Sequence, residues 1–271
     1  MPNSINQVVL TLSSQTVAGM VLYMTFSYSG TESGTRLLPG KTALALLLTG
    51  LLASLATLAN YNWSAASGFS FLKNRELLYI SLPAFFLAAW LLFRSRILLV
   101  SAAFGGICLV YAMSRIYPAI PVTQADSINI TLPLFVASMM LLGPSTLFLI
   151  ACLKNRRNPE GVLRQALGWH PVAISLAFVL RMLVLFIQCV NAGPSFAARM
   201  LWLQAALLLL GAGPMLLLVV RSPFIPVRDE TGEFRAGALL AKVGLMTALL
   251  WAGEICGRIA LYSTSWATQI Q

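Results

Sequence analysis

The sequence contains a single histidine, His170, and only eight acidic residues among its 271 positions. A haem held between two histidines cannot be built from one, so a dihaem cytochrome b anchor is excluded within this chain. The four cysteines lie in separate apolar runs and form no C-x-x-C pair, which favours buried free thiols over an iron–sulfur cluster or a zinc site. The chain itself is therefore expected to hold no haem, no iron–sulfur cluster and no metal.

Charge of either sign is also scarce, at 10% of residues, whereas 58% are hydrophobic and the mean hydropathy is +0.82. Soluble domains are about 25% charged, so this composition indicates a protein of the lipid bilayer. The net charge of +10 comes from basic residues in short gaps between apolar runs. Positive-inside topology explains that pattern better than a nucleic-acid groove does, and we expect no nucleic-acid partner.

Eight apolar segments are long enough to cross a bilayer, which takes about 20 residues each. None of them alternates with period two, and no linker separates two domains, so residues 1–271 are predicted to form a single transmembrane helical domain. The expected fold is all-α, a polytopic integral membrane helix bundle. The predicted helices are 7–28, 42–60, 76–93, 97–117, 131–153, 171–190, 200–220 and 243–262.

Loop charges predict the orientation of this bundle. The loops after the first, third, fifth and seventh helices hold 12 of the 18 Lys and Arg residues, and the segments on the other side hold 4. This bias places the basic loops in the cytoplasm and both termini outside. No Lys or Arg precedes the first apolar run in "MPNSINQ", so we expect an uncleaved first helix rather than a secretory signal.

The stretch "WAGEICGRIALYS" places charge inside the last predicted helix. Glu254, Arg258 and Tyr262 follow one another at intervals of four, and the acid precedes the arginine, the favourable order for an i,i+4 pair. Gly253 and Gly257 form a G-x-x-x-G on the adjoining stripe, which allows another helix to approach closely. The ionic stripe is therefore predicted to face the interior of the bundle.

Two interpretations of this stripe are open. Glu254 and Arg258 neutralise each other and hold helices together, or they line a polar pocket for a ligand head group, since ionisable residues inside membranes are functional candidates. Arg181, in the sixth helix, has no acid within one turn and needs a partner from elsewhere. Glu254 is the intramembrane acid available to it, and the sequence leaves open whether it serves one arginine or both.

Four further polar residues are candidates for the same pocket. Arg115 and Tyr117 close the fourth helix, where lipid-interface anchoring is the simple alternative. Glu76 opens the third helix, where an acid also favours the helix N-terminus. Gln15 lies in the polar stretch "LSSQTVAG" of the first helix, where hydrogen bonding between helices is the plain account.

The order and spacing of several stretches resemble the membrane anchor subunit of dimethyl sulfoxide reductase and its relatives. They are "QTVAG", "YAMSRIYPAIP", "TLPLFVASMMLLGPSTL" and "AGEICGRIALY". The resemblance implies a subunit of the bacterial inner membrane with both termini periplasmic. It also implies anaerobic respiration, with menaquinol as substrate and electrons passing to a ferredoxin-like iron–sulfur subunit beside a molybdopterin catalytic subunit.

One position departs from that family. Such anchors carry a histidine followed by Leu-Gly near the end of the second helix, whereas "ASLATLANYNW" has Thr57 there. Quinol oxidation needs a group that takes each proton, so the departure makes Glu254, or Glu76, the candidate proton acceptor. The residues then predicted to bind the quinol are Arg258, Arg115, Tyr117, Tyr262, Glu76 and Gln15.

Two alternatives stay open at the level of sequence. A secondary transporter also has proline-interrupted helices and buried charges, and the fifth and seventh helices both carry Gly-Pro. The other alternative is a structural anchor that has lost quinol oxidation, consistent with Thr57. An anchor is at most the quinol-oxidising subunit of an oxidoreductase, since the terminal acceptor is chosen by the catalytic subunit.

Overall fold

The computed structural model describes residues 2–26, 37–59, 67–116, 131–154, 170–191, 196–221 and 236–267, to which the structural statements below refer. These residues form eight α-helices, which confirms the all-helical prediction. The helices are α1 (Pro2–Phe26), α2 (Leu37–Ala59), α3 (Ser67–Phe93), α4 (Arg96–Ile116), α5 (Thr131–Lys154), α6 (His170–Asn191), α7 (Phe196–Arg221) and α8 (Ala236–Ala267).

Several helices begin before the apolar run that predicts them. Helix α2 begins at Leu37 and includes Lys41, and α3 begins at Ser67, nine positions before the predicted start. Lysine and arginine are good helix formers, so a helix extends past the point where hydropathy falls. Some residues that were predicted to lie in loops therefore belong to the ends of helices.

Five of the helices contain segments long and apolar enough to cross a membrane by length and composition. They are Ile5–Phe26, Arg96–Arg115, Thr131–Leu153, Phe196–Pro214 and Leu240–Tyr262. Shorter apolar segments lie in the other three, at Pro39–Leu55, Leu78–Phe93 and Ile174–Val190. The structure thus supports a membrane protein with several apolar helices.

Helices α1 and α5 occupy the centre of the bundle, because α1 packs on α2, α4, α5 and α8, while α5 packs on α1, α4, α6 and α8. Successive contacts give the directions of the helices. Gln15 meets Arg258 and Thr11 meets Tyr262, so α1 and α8 run antiparallel and the start of α1 lies at the same end as the end of α8.

Unlike a soluble protein, this bundle has an apolar exterior, and its largely apolar core also contains polar and charged groups. Many large apolar side chains point outward, including Leu52, Phe85, Phe104, Phe186, Trp202 and Leu210. Buried positions carry hydroxyl, amide and charged groups, among them Gln15, Ser138, Arg181, Glu254 and Arg258. An apolar exterior suits contact with lipid, and it makes the polar interior the place to look for chemistry.

Helices α3 and α4 are joined by only two non-helical residues, Arg94 and Ser95. Arg94 has a φ of 56°, the left-handed conformation in which helices commonly end. Its amide donates to the carbonyl of Trp90 at 2.9 Å, and its guanidinium lies 5.7 Å from the centroid of the Trp90 ring. This cap allows the chain to reverse at once into α4.

The closest approach in the core is between α1 and α5. A Cβ built on Gly143 would lie 2.7 Å from the backbone nitrogen of Met20 and closer still to the backbone of Gly19. Neither helix can accept a side chain at this crossing without moving apart. Small residues permit such contacts between membrane helices, and this contact fixes α1 against α5 beside the buried polar groups.

We therefore expect Gly143→Ala to destabilise the protein by about 1–3 kcal/mol, the usual penalty of overpacking a core. Gly213→Ala in α7 is the matched control, since a Cβ there meets no atom within 4 Å. Both changes have the same effect on helix propensity. The difference in thermal unfolding temperature between the two variants therefore measures the cost of overpacking the α1–α5 crossing. Equal unfolding temperatures for the two variants would contradict the α1–α5 contact.

Candidate functional site

The stripe predicted on α8 does face the bundle interior. Glu254, Arg258 and Tyr262 are 0%, 1% and 4% exposed. Their spacing of four residues places them on one side of α8, and the contacts described below show that this side meets α1, α5 and α6. The inward orientation is confirmed, and four helices contribute to one buried polar cluster.

Glu254 forms its ion pair with Arg181 of α6. The Arg181 Nε atom donates to Glu254 Oε1 at 2.6 Å, and Nη2 lies 3.4 Å from Oε2. The sequence leaves open which arginine Glu254 serves; in the structure the carboxylate points across to α6 and forms its ion pair with Arg181. An arginine on another helix can present its Nε–Nη2 edge to both carboxylate oxygens, a geometry that favours this pair.

Arg258 bonds instead to α1 and α5. Its Nη2 atom donates to Gln15 Oε1 at 2.6 Å and lies 3.2 Å from Ser138 Oγ. The aromatic ring of Phe135 covers the guanidinium, with 4.2 Å between the ring centroid and Cζ. Cation–π contact of this kind is strongest where water is excluded, as here.

Ser138 connects the two halves of the cluster. Its hydroxyl oxygen lies 2.8 Å from Glu254 Oε2 and 3.2 Å from Arg258 Nη2. The same oxygen lies 2.9 Å from the carbonyl of Leu134, one helical turn earlier. A hydroxyl has one proton and two lone pairs, so Ser138 can accept from Arg258 while it donates to Glu254.

Tyr262 extends the cluster toward the end of the bundle where α1 begins. Its hydroxyl donates to Thr11 Oγ1 at 3.3 Å, and Thr11 donates in turn to the carbonyl of Gln7 at 2.8 Å. Thr11 and Gln15 are one turn apart on α1, so one face of α1 meets both Tyr262 and Arg258. The predicted involvement of Gln15 and Tyr262 is therefore matched by their contacts.

The cluster is unusual in having more cations than anions. Arg181 and Arg258 are each 1% exposed, and Glu254 is the one acid among the buried described residues. Arg181 Nη1 and Arg258 Nε and Nη1 have no hydrogen-bond partner among the described residues. Buried charged donors without partners are costly, typically by several kcal/mol, so this arrangement is more than a neutralised helix contact.

The G-x-x-x-G stripe of α8 packs on α7, as its spacing predicts. A Cβ on Gly253 would lie 3.1 Å from a side-chain carbon of Leu208. The amide of Gln204 lies directly against Gly257, in the space that any side chain there would occupy. Gln204 is fully buried, and its amide atoms have no hydrogen-bond partner among the described residues.

The remaining predicted site residues are not shown to join the cluster. Arg115 is exposed near the end of α4. Gly106 of α4 packs against Ala18 of α1. Arg115 lies nine residues beyond Gly106 in α4, which is about 13 Å along the helix axis. Glu76 lies in α3, but its side chain is outside the described residues, as are Tyr117 and the side chain of Thr57.

Four residues of the site were not singled out by the sequence: Thr11, Phe135, Ser138 and Gln204. A signal exists for two of them, since Ser138 and Gln204 are isolated polar residues in apolar runs, "FVASMML" and "LWLQAAL". Phe135 has no such signal in a chain with 14 phenylalanines. Within the described part of the chain, no group of three or more His, Cys, Asp or Glu side chains is placed to hold a metal ion.

Comparison with protein-family models, with characterised proteins and with solved structures finds no match to this chain. Its functional assignment therefore depends on the cluster and on the sequence resemblance.

Proposed function

We propose that this chain is the quinol-binding membrane subunit of a dimethyl sulfoxide reductase-like complex. The observation that carries the proposal is the buried cluster, in which guanidinium N–H groups that have no partner among the described residues lie beside a carboxylate in an apolar bundle. Such donors fit the ring oxygens of a quinol, while the apolar surroundings fit its ring and tail. The resemblance in sequence supplies the class of partners.

In this proposal Arg258 binds and orients the ring oxygen through the N–H groups of Nε and Nη1. Gln15 and Phe135 hold the guanidinium in place. Oxidation of a quinol would release two electrons to the iron–sulfur subunit and two protons, which Glu254 would accept one after the other and pass to water on the outer side. Glu254 is the described buried carboxylate, and the Ser138 hydroxyl between Arg258 and Glu254 offers a path for a proton. Electrons pass to an iron–sulfur subunit and then to a molybdopterin subunit.

The placement in the membrane is part of the same proposal. All eight helices span the bacterial inner membrane, with the basic loops in the cytoplasm and both termini periplasmic. Helix α8 then runs outward, and Tyr262 lies nearer the periplasm than Glu254. Arg115, Tyr117 and Glu76 belong to that outer half, where they bind or admit the quinol.

A structural anchor without quinol chemistry is the second candidate, and the Arg181–Glu254 pair favours it. This ion pair joins α6 to α8 at 2.6 Å and would hold the two helices together whether or not a quinol binds. A purely structural role predicts that the wild-type complex shows no quinol-dependent reduction and that neutral replacement of the pair leaves dye-driven reduction unchanged. Quinol chemistry predicts that the wild-type complex does show quinol-dependent reduction and that the replacement lowers it.

The test is the double variant Arg181→Gln/Glu254→Gln. Replacing both partners by neutral amides removes the ion pair and leaves neither partner as an unpaired buried charge, so the fold should persist. Quinol-dependent reduction by the assembled complex should fall by about a hundredfold, the usual size of a lost general-base contribution. Reduction driven by an artificial dye, which bypasses the membrane subunit, should stay at the wild-type rate.

Arg199→Gln provides the matched control, because it neutralises an exposed arginine on α7. Wild-type quinol turnover in the double variant would refute the proposed role of Glu254. Purification of the chain without iron–sulfur and molybdenum subunits, together with solute movement in vesicles, would refute the anchor assignment and support a secondary transporter.

A further inference from the structure

The buried cluster carries one positive charge in excess. Arginine stays protonated in proteins, so Arg181 and Arg258 contribute two charges. Glu254 contributes one negative charge, and it is the one acid among the buried described residues. A net charge of this kind in a dry interior is strongly unfavourable unless another group balances it.

Among Gln15, Arg181, Glu254 and Arg258, the polar side-chain atoms that have no hydrogen-bond partner among the described residues are all donors. Besides Arg181 Nη1 and Arg258 Nε and Nη1, the amide nitrogen of Gln15 has no hydrogen-bond partner among the described residues. The acceptors of the cluster are already used, since both oxygens of Glu254 and the carbonyl oxygen of Gln15 receive guanidinium N–H groups. A ligand that meets this set must supply lone pairs.

We propose that the cluster of Gln15, Arg181, Glu254 and Arg258 is a binding site for one small monovalent anion of the halide or nitrate class. A monovalent anion balances the single excess charge, whereas a cation would add to it. A phosphate-sized dianion would reverse the net charge of the cluster. The Phe135 ring covers the face of the Arg258 guanidinium, so binding takes place through in-plane N–H groups.

This inference goes beyond quinol binding and does not require it. The anion and a quinol oxygen use the same donors of Arg258, so an anion that enters the cluster competes with the quinol. If both proposals hold, chloride raises the KM for quinol linearly with chloride concentration and leaves the maximal rate unchanged.

The experiment measures thermal unfolding of the protein in lipid nanodiscs. Sodium chloride and, in a second series, sodium nitrate are titrated against sodium gluconate at constant ionic strength. We expect a saturable rise in unfolding temperature with chloride and nitrate in the wild type. Arg258→Gln abolishes the excess charge and should raise the half-saturating concentration by at least about tenfold, the effect of losing a charge-assisted hydrogen bond.

Two further variants test the dependence on charge. Glu254→Gln raises the excess to two charges and should lower the half-saturating concentration several-fold. Arg181→Gln/Glu254→Gln keeps Arg258 and one excess charge, so its response to chloride should persist. Arg199→Gln, at an exposed site, should respond as the wild type does.

Coincident chloride and gluconate curves in the wild type would overturn the anion site. A wild-type half-saturating concentration in Arg258→Gln would also overturn it. Failure of the quinol proposal looks different. If the unfolding temperature rises saturably with chloride but the complex shows no quinol-dependent turnover, the anion site alone is supported. If chloride changes neither the unfolding temperature nor the quinol-dependent turnover, the quinol site alone is supported.

Discussion

The Glu254→Gln variant is expected to lose about 3–5 kcal/mol of unfolding free energy, the usual cost of breaking a buried ion pair from one side. The change removes the acceptor at 2.6 Å from Arg181 and leaves two guanidinium groups buried without a counter-charge. It also removes the charged partner of the Ser138 hydroxyl. Few single substitutions in the described bundle should be as damaging.

Adding Arg181→Gln to this variant should restore most of the lost stability, because the second change removes the cation that lost its partner. A double-mutant cycle therefore gives a large coupling energy, measured by denaturant-induced unfolding in detergent micelles. Arg199→Gln should differ from the wild type by less than about 0.5 kcal/mol, as surface substitutions do. Additive effects of the two substitutions would contradict the ion pair.

Arg258→Gln should have the opposite profile, with nearly unchanged stability and strongly reduced function. It removes the costly excess charge but also the Arg258 bonds to Gln15 and Ser138, and the Arg181–Glu254 pair stays intact. Because the gain and the loss offset each other, unfolding free energy should stay within about 1 kcal/mol of the wild type. The donors proposed to bind the quinol oxygen are lost. Quinol-dependent kcat/KM should fall by about 10- to 100-fold, the effect of one charge-assisted hydrogen bond.

Dye-driven turnover of the same preparation separates binding from assembly in this variant. It should stay at the wild-type rate, since the proposed partner subunits should still dock. A parallel loss of both activities would mean that Arg258 is needed to assemble the complex. Unchanged kcat/KM for quinol would mean that the ring oxygen is bound elsewhere.

The helices were largely predictable because the hydrophobic signal of a membrane helix is strong and local. Each observed helix overlaps a predicted segment, and the α8 stripe could be oriented inward from spacing alone. The starts of α2 and α3 were misplaced because hydropathy reports burial in lipid, while the helix continues through lysine and arginine. The boundary of an apolar run is not the boundary of a helix.

The partners of the buried charges could not be predicted from spacing. The i,i+4 rule favours Glu254 with Arg258, yet the carboxylate bonds to Arg181, 73 positions away in sequence. Local rules describe an isolated helix, in which the nearest turn offers the available partner. In the bundle, α5, α6 and α8 bring Ser138 and Arg181 to the same carboxylate, and that depends on how the helices pack.

Quinol binding by the buried cluster through Arg258 is the property on which the proposed function depends. Its most direct test is equilibrium binding of a fluorescent quinol analogue to the purified protein in lipid nanodiscs, at fixed chloride concentration. The account predicts saturable binding with one site per chain in the wild type and Arg199→Gln, and a dissociation constant raised by at least about tenfold in Arg258→Gln. Absence of saturable binding to the wild type, or equal affinity in Arg258→Gln, would contradict it.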